Sequence, residues 1–316
     1  MPRKRKTSGP VKPDVRDGAD QVLSNPLVEP PPFPLATTMF SAVLVALVPA
    51  VYWQVTDHQF LVCDDDTYVT KNPRVLQGLT WDGVRWAFQE PHTGNYHPLT
   101  WISHMDDVEL FGLDAGAHHL VSVVLHAATA VLLLVTLRTM TGRFWAPVLV
   151  AFVFALHPLR VESVAWVAER KDVLCGLFWM ATMLAYAWYA RRGDLPHHFR
   201  PTGQPVPQAA QRMKLAASGA RYFVVMVLYL CALLSKSMAV TLPCVLVLCD
   251  YWPLSRQRSV YKPQLGQRAQ LPATIAHSLA RLLEKLPLLL IAAWPAGWRC
   301  MGSRWPAPLI HWKRCR

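Results

Sequence analysis

The chain has 316 residues, 53% hydrophobic and only 16% charged, with 26 prolines and 13 tryptophans. That balance excludes a disordered protein and is too apolar for an ordinary soluble domain. The net charge of +12 does not point to nucleic acid, because Lys and Arg are spread over separate loops between apolar runs instead of forming one stripe with interleaved aromatics.

Several runs approach the roughly 20 apolar residues that cross a bilayer, so the expected fold is all-α: a polytopic membrane protein of about six to seven transmembrane helices. Residues 1–34 begin Met1-Pro2-Arg3-Lys4-Arg5-Lys6 and end on Pro30, Pro31, Pro32 and Pro34. They read as a flexible cytoplasmic tail, because this composition builds no core. A positive flank before a span explains the basic run more simply than a nuclear-localisation signal. A cleaved signal peptide does not fit, since the apolar run starts late and has no small-residue cleavage pattern.

Residues 35–53 form the first expected span and close on the interfacial pair Tyr52-Trp53. The polar loop 54–116 holds a large excess of Asp and Glu over Lys71, Arg74 and Arg85, which places it outside. Two amphipathic helices are expected within it. One covers 81–88, N-capped by Thr80, and the other covers 100–111 with Trp101, Met105, Val108 and Phe111 on one stripe. Both should lie in the interface plane. Further spans follow at 118–137, 144–156 (stopped by His157-Pro158) and 173–189. The run 222–254 is too long for one span and divides at Ser235-Lys236-Ser237. A last apolar run covers 286–293. Basic loops on the inside give a cytoplasmic amino terminus and put the acid loop, the turn at 157–172 and Lys236 together on the outer face. Arg160, Arg170 and Lys171 then lie outside, offset by Glu162, Glu169 and Asp172.

Three features carry possible chemistry. Asp64, Asp65 and Asp66 are adjacent acids just beyond a span. They must be solvated, hydrogen-bonded, or supplied with a cation or proton, and they are either a solvated loop or a site. Within 161–172, Val161, Val164, Ala165 and Ala168 take one helical face while Glu162, Trp166 and Glu169 take the other. A tryptophan between carboxylates suits a sugar; an interfacial surface helix is the plainer reading. Lys236 interrupts an apolar region, where an ammonium is costly unless paired or wet; it seeks outer carboxylates or a lipid phosphate, or it snorkels. His97, His104, His118, His119, His126 and His157 show no recognised metal spacing, so hydrogen-bonding or interfacial roles are expected and no metal ligand is assigned. Asp250 reads as structural, and the seven cysteines form no framework.

The strings Asp64-Asp65-Asp66-Thr67-Tyr68, His97-Pro98-Leu99-Thr100-Trp101, His157-Pro158-Leu159-Arg160-Val161-Glu162-Ser163-Val164-Ala165-Trp166, Glu169-Arg170-Lys171-Asp172, Ser235-Lys236-Ser237 and Asp250-Tyr251-Trp252-Pro253 carry a resemblance. Over residues 55 to 290 the chain resembles the membrane domain of bacterial tetratricopeptide-repeat membrane proteins. That domain is similar to the animal transmembrane and tetratricopeptide-repeat O-mannosyltransferases and, more distantly, to GT-C glycosyltransferases.

The resemblance implies a membrane domain over 35–293 in a bacterial inner membrane. Its expected activity is transfer of a hexose such as mannose from a polyprenyl phosphate to a protein or glycan hydroxyl. Asp64 and Asp65 match the family's catalytic acids. Asp66, His97, Glu162, Trp166, Arg170, Lys171 and Lys236 are the expected substrate-binding residues, the three cations serving the lipid phosphate. The expected partners are the bilayer, the lipid-linked sugar and the acceptor, with no nucleic acid and no bound cofactor; a divalent metal is left open. Tyr96 stands where the family has tryptophan, and Asp106 where an apolar residue is expected. Residues 294–316 depart from the pattern and read as a truncated or frameshifted terminus. The repeats themselves are not visible. The alternatives are a membrane anchor without chemistry and an inactive fragment.

Overall fold

The computed structural model describes residues 34–62, 64–89, 96–192, 208–254, 256, 279 and 281–293. The expected tail at 1–33 and the divergent stretch 294–316 lie outside the described residues. Every described element is helical, and no strand occurs among them.

Helix α1 (Pro34–Val51) runs into a 3-10 turn, Trp53–Asp57. A π-helical turn, Asp66–Thr70, carries the last of the three adjacent acids. Next come α2 (Trp81–Gln89) and α3 (Pro98–Phe111), the two expected helices of the outer loop. Thr80 caps α2 as anticipated, its hydroxyl accepting from the Gly83 N–H at 3.1 Å. Trp101 and Met105 of the expected α3 stripe are buried, whereas Phe111 is exposed.

Helix α4 (Ala115–Thr141) is capped by Asp114, which accepts from the Ala117 N–H, and ends at Gly142 with φ 68°. A left-handed residue there lets the Gly142 N–H reach back to the Arg138 carbonyl. Its 27 residues rise about 40 Å, more than a ~30 Å hydrocarbon layer. Gly116 brings the start of α4 against the 3-10 turn so closely that a Cβ would fall 2.3 Å from the Thr56 carbonyl oxygen.

Helix α5 (Trp145–Leu156) stops at His157-Pro158. A short α6 (Val161–Ala165) and a 3-10 turn (Val167–Glu169) follow, then α7 (Arg170–Arg192). The expectation of one continuous helical face over 161–172 is therefore corrected: Trp166 is extended, with φ −98° and ψ 121°. Helix α8 (Gln208–Ser235) ends where anticipated. Lys236 is extended, a 3-10 turn spans Ser237–Thr241, and α9 (Leu242–Tyr251) completes the pair.

The chain is a membrane protein. Helix α4, the stretch Val167–Arg191 and the stretch Ala216–Ser235 are long and apolar enough to cross a bilayer. The bent pair of α5 with 158–165 makes a fourth candidate, and Leu35–Val51 and Ser237–Tyr251 are shorter apolar helices. This corresponds to the expected spans without establishing six or seven crossings.

Helices α4 and α7 are central: α4 packs against α1, α5 and α7, and α7 against α8. One apolar core joins α1, α4, α5 and α6 through Leu44, Val48, Val123, Leu134 and Ala151. A second joins α7, α8, α9 and 281–293 through Tyr186, Tyr229, Leu233, Leu246 and Leu288. A third, smaller core lies under the loop between α1 and α4, where Tyr68, Val69, Val75, Ala87, Trp101 and Met105 close over Val167 and Ala168. That third core holds the acid cluster in place.

Candidate active site

Asp65 is fully buried. Its two oxygens accept the Leu61 N–H at 2.8 Å and the Ala168 N–H at 2.9 Å. The second bond spans 103 residues of chain and explains the break at Trp166, since the Ala168 N–H is given to a carboxylate instead of an intrahelical carbonyl. Burial pushes the Asp65 carboxyl above its ordinary range, and the two backbone donors only partly offset this. The Trp166 indole also favours the charged form, although it forms no hydrogen bond of good geometry.

The neighbouring acids differ. Asp66 accepts from Lys71 at 2.6 Å and from Thr70 at 2.7 Å, and these bonds, Lys71 first, lower its pKa. Asp64 is exposed and makes no hydrogen bond or ion pair with the described residues. Of three consecutive carboxylates, one is an anchor, one is tied to a lysine, and one is open to an approaching molecule.

On the far side of the Asp65–Ala168 bond lies a second charged group. Lys171 bonds Glu169 at 2.8 Å and the Ala168 carbonyl at 3.0 Å, and stands 5.1 Å from the centre of the Tyr68 ring. Lys236, just past the end of α8, pairs with Asp172 and lies 4.0 Å from Glu169. The expected lysines are thus brought together, held by Asp172, expected only as charge balance, and by Glu169, expected on a sugar-facing stripe with Trp166. The signal was available in Glu169-Arg170-Lys171-Asp172, where two cations sit between two acids beside an apolar run.

Other expected residues go elsewhere. Arg170 is fully buried and turns away from the lysines. It donates to Ser122 at 2.8 Å, Ser103 at 3.0 Å, Asp107 at 2.7 Å and the His118 carbonyl at 2.6 Å. His97 is buried in a stack with Tyr68 and Trp101, ring centres 5.6 and 5.3 Å away. Trp166 is half-buried, and Glu162 is exposed without an ionic partner among the described residues.

Around Arg170, the ligand atoms of His104, Asp107 and His118 fall within 4.8 Å of one another, close enough to hold a metal ion. The His118 Nε2–H donates to the Gly112 carbonyl at 2.9 Å. Burial, with the Arg170 charge next, pushes His104 well below its ordinary pKa. Arg170 already supplies the positive charge that Asp107 requires, and a dication beside a buried guanidinium is unfavourable. The group reads as an Arg-centred core joining α3, α4 and α7. Sequence spacing missed it because its members come from three helices.

No protein-family model matches the chain, and no solved structure matches it. Similarity to curated proteins is clear but partial. The chain is 26% identical to the human protein O-mannosyl-transferase TMTC1 over 209 residues, which is 62% of this chain and 22% of that protein. It is 29% identical to the Xenopus laevis protein O-mannosyl-transferase tmtc2 over 130 residues, 39% of this chain and 16% of the relative. With human TMTC4 it shares 30% over 148 residues, 39% of this chain and 19% of the relative. The chain therefore spans about a fifth of the length of the relatives it matches.

Proposed function

We propose that this chain is a membrane glycosyltransferase of the GT-C type, related to tetratricopeptide-repeat membrane proteins. It transfers a hexose such as mannose from a polyprenyl phosphate to a hydroxyl of a protein or glycan. The reading places the reaction on the outer face of a bacterial inner membrane, with the amino terminus inside. The observation that carries it is the Asp65–Ala168 hydrogen bond, which sets an open carboxylate and a pair of lysines at the two ends of one buried contact. The names of the relatives support the same reaction class.

In this reading Asp64 takes the proton of the acceptor hydroxyl as its oxygen bonds to the anomeric carbon. The bond from that carbon to the phosphate oxygen breaks, its electron pair stays on the lipid phosphate, and the anomeric configuration inverts. Lys171 and Lys236 face the growing phosphate charge, exchanging part of their contact with Glu169 and Asp172 for it. Asp65 is the positioning residue that fixes Asp64 against the 167–172 segment. Trp166 and Glu162 border the space left for the sugar. Arg170 and His97 hold the scaffold and touch no substrate.

The test is transfer in membranes carrying this chain, supplied with labelled polyprenyl-phosphate mannose or glucose and an acceptor extract. A labelled product of inverted configuration is expected. Absence of product with both donors, with the protein folded and abundant, would instead support an anchoring role without chemistry.

A further inference from the structure

A partly open cavity of about 230 Å³ lies between α4, the α5–α6 bend and the first turns of α7. It is smaller than the roughly 300 Å³ at the low end for sites that enclose a whole drug-sized ligand, so it takes part of a longer molecule. Its depth is apolar, formed by Leu133, Phe154, Val164, Val173 and Met180. His126 and Thr129 also line it, with the His126 Nε2 and the Thr129 hydroxyl bonded to the Ala155 and Leu125 carbonyls at 3.0 and 2.8 Å.

The rim is different. Arg160 is exposed, lies 4.4 Å from the centre of the Phe154 ring, and has no carboxylate partner among the described residues. Ser163 on the same rim has no hydrogen-bond partner among them. The rim acid, Asp172, is already paired with Lys236. An apolar hollow topped by an unneutralised guanidinium and an unused hydroxyl matches an amphiphile with an anionic head. The wall is also continuous with the candidate active site. The segment that gives its Ala168 N–H to Asp65 lends Ser163, Val164, Asp172 and Val173 to the cavity. His119, which feels the Asp65 charge, lies about 10 Å along α4 from His126.

We infer that this cavity seats the phosphate-proximal isoprene units of the lipid donor, with Arg160 and Ser163 binding its phosphate on the side opposite Lys171 and Lys236. The inference rests on the proposed donor and adds a cation that the resemblance did not assign. Gly176 gives a clean way to close the cavity: a Cβ there lies 3.6 Å from the Thr129 Cγ2, an ordinary contact, so a leucine would extend its branches into the hollow while improving helix propensity.

The experiment is photolabelling of the full chain in membranes with a polyprenyl phosphate bearing a diazirine on its first isoprene unit. A phosphatidic acid bearing a diazirine on its acyl chain serves as the second probe. Label from the first probe is expected on peptides of α4 and α7 around 129–133 and 173–180. Gly176→Leu should remove it, Arg160→Gln should weaken it roughly tenfold, and Arg160→Lys should largely restore it. Asp64→Asn should leave it unchanged. Polyprenyl label on other peptides, or label indifferent to Gly176→Leu and Arg160→Gln, overturns the inference and leaves the donor reading standing. Label from phosphatidic acid alone overturns both and makes the cavity a phospholipid site, and label from neither probe overturns both.

Discussion

Two charged clusters occupy the two ends of α7, and they are built on opposite terms. At its amino-terminal end, Glu169, Lys171, Asp172 and Lys236 keep side-chain exposures of 16 to 29%, and Asp64, next in the chain to the Asp65 that bonds Ala168, is open. About 24 Å along the helix, Tyr186 meets Asp250, Arg256, Glu284 and Lys285, whose side chains are 2 to 15% exposed. Tyr186 donates to Asp250 at 2.5 Å and accepts from Lys285 at 2.5 Å and Arg256 at 2.7 Å. Glu284 accepts from both cations. This second cluster has two carboxylates for two buried cations, with Arg281 also on Glu284 at 3.2 Å, and little surface left for a ligand. It fastens 281–293 to α7 and α9. Saturation marks a clamp, whereas partial exposure with an unspent carboxylate marks a place where something else completes the pairing.

That contrast can be broken at several points. Arg170→Met should have the largest effect on stability, about 3–5 kcal/mol, because it strands a buried Asp107; a fall in thermal midpoint in detergent would register it. Acid should then loosen the Tyr186 clamp. Burial alone would raise the Glu284 pKa, but Arg256 and Lys285 outweigh it and hold it at about 2. A depressed folded pKa contributes stability above the unfolded value near 4.5 that is lost as pH falls toward 2, on the order of 3 kcal/mol. Protease access to residues 281–293, followed from pH 7 to pH 3, reads this directly. Asp65→Asn should cost about 1–3 kcal/mol, since an amide turns a donor toward one of two backbone N–H groups. Tyr186→Phe should cost least, about 1 kcal/mol, because the four ions still neutralise one another.

The two ends also differed in how much of them could be read from the chain. The spans, the split at Ser235-Lys236-Ser237 and the Thr80 cap are local, set by composition, an extended residue and one side chain three positions from its partner. The acids and lysines of the first cluster were legible as charges in apolar surroundings, which is costly enough to be conspicuous. Their roles were not. Val161 to Asp172 has a clean helical period, and nothing local shows that Ala168 gives its N–H to an aspartate 103 residues earlier. Arg170 and Lys171 are adjacent and carry the same charge, yet Lys171 stays half-buried over the Tyr68 ring while Arg170 is fully buried against Asp107. The clamp was foreshadowed only by Asp250: Arg256 lies six residues on, but Lys285 and Tyr186 lie 35 and 64 residues away in sequence.

Asp64 and Asp65 divide the labour of the proposed site, and one paired measurement tests that division: sugar transfer and thermal midpoint for Asp64→Asn and Asp65→Asn side by side. Asp64→Asn should lower transfer by roughly 10²–10⁴-fold with the midpoint unchanged, and Asp65→Asn should lower both. Full transfer by Asp64→Asn, with transfer lost in Asp65→Asn at an unchanged midpoint, would contradict the account and make the buried carboxylate the base.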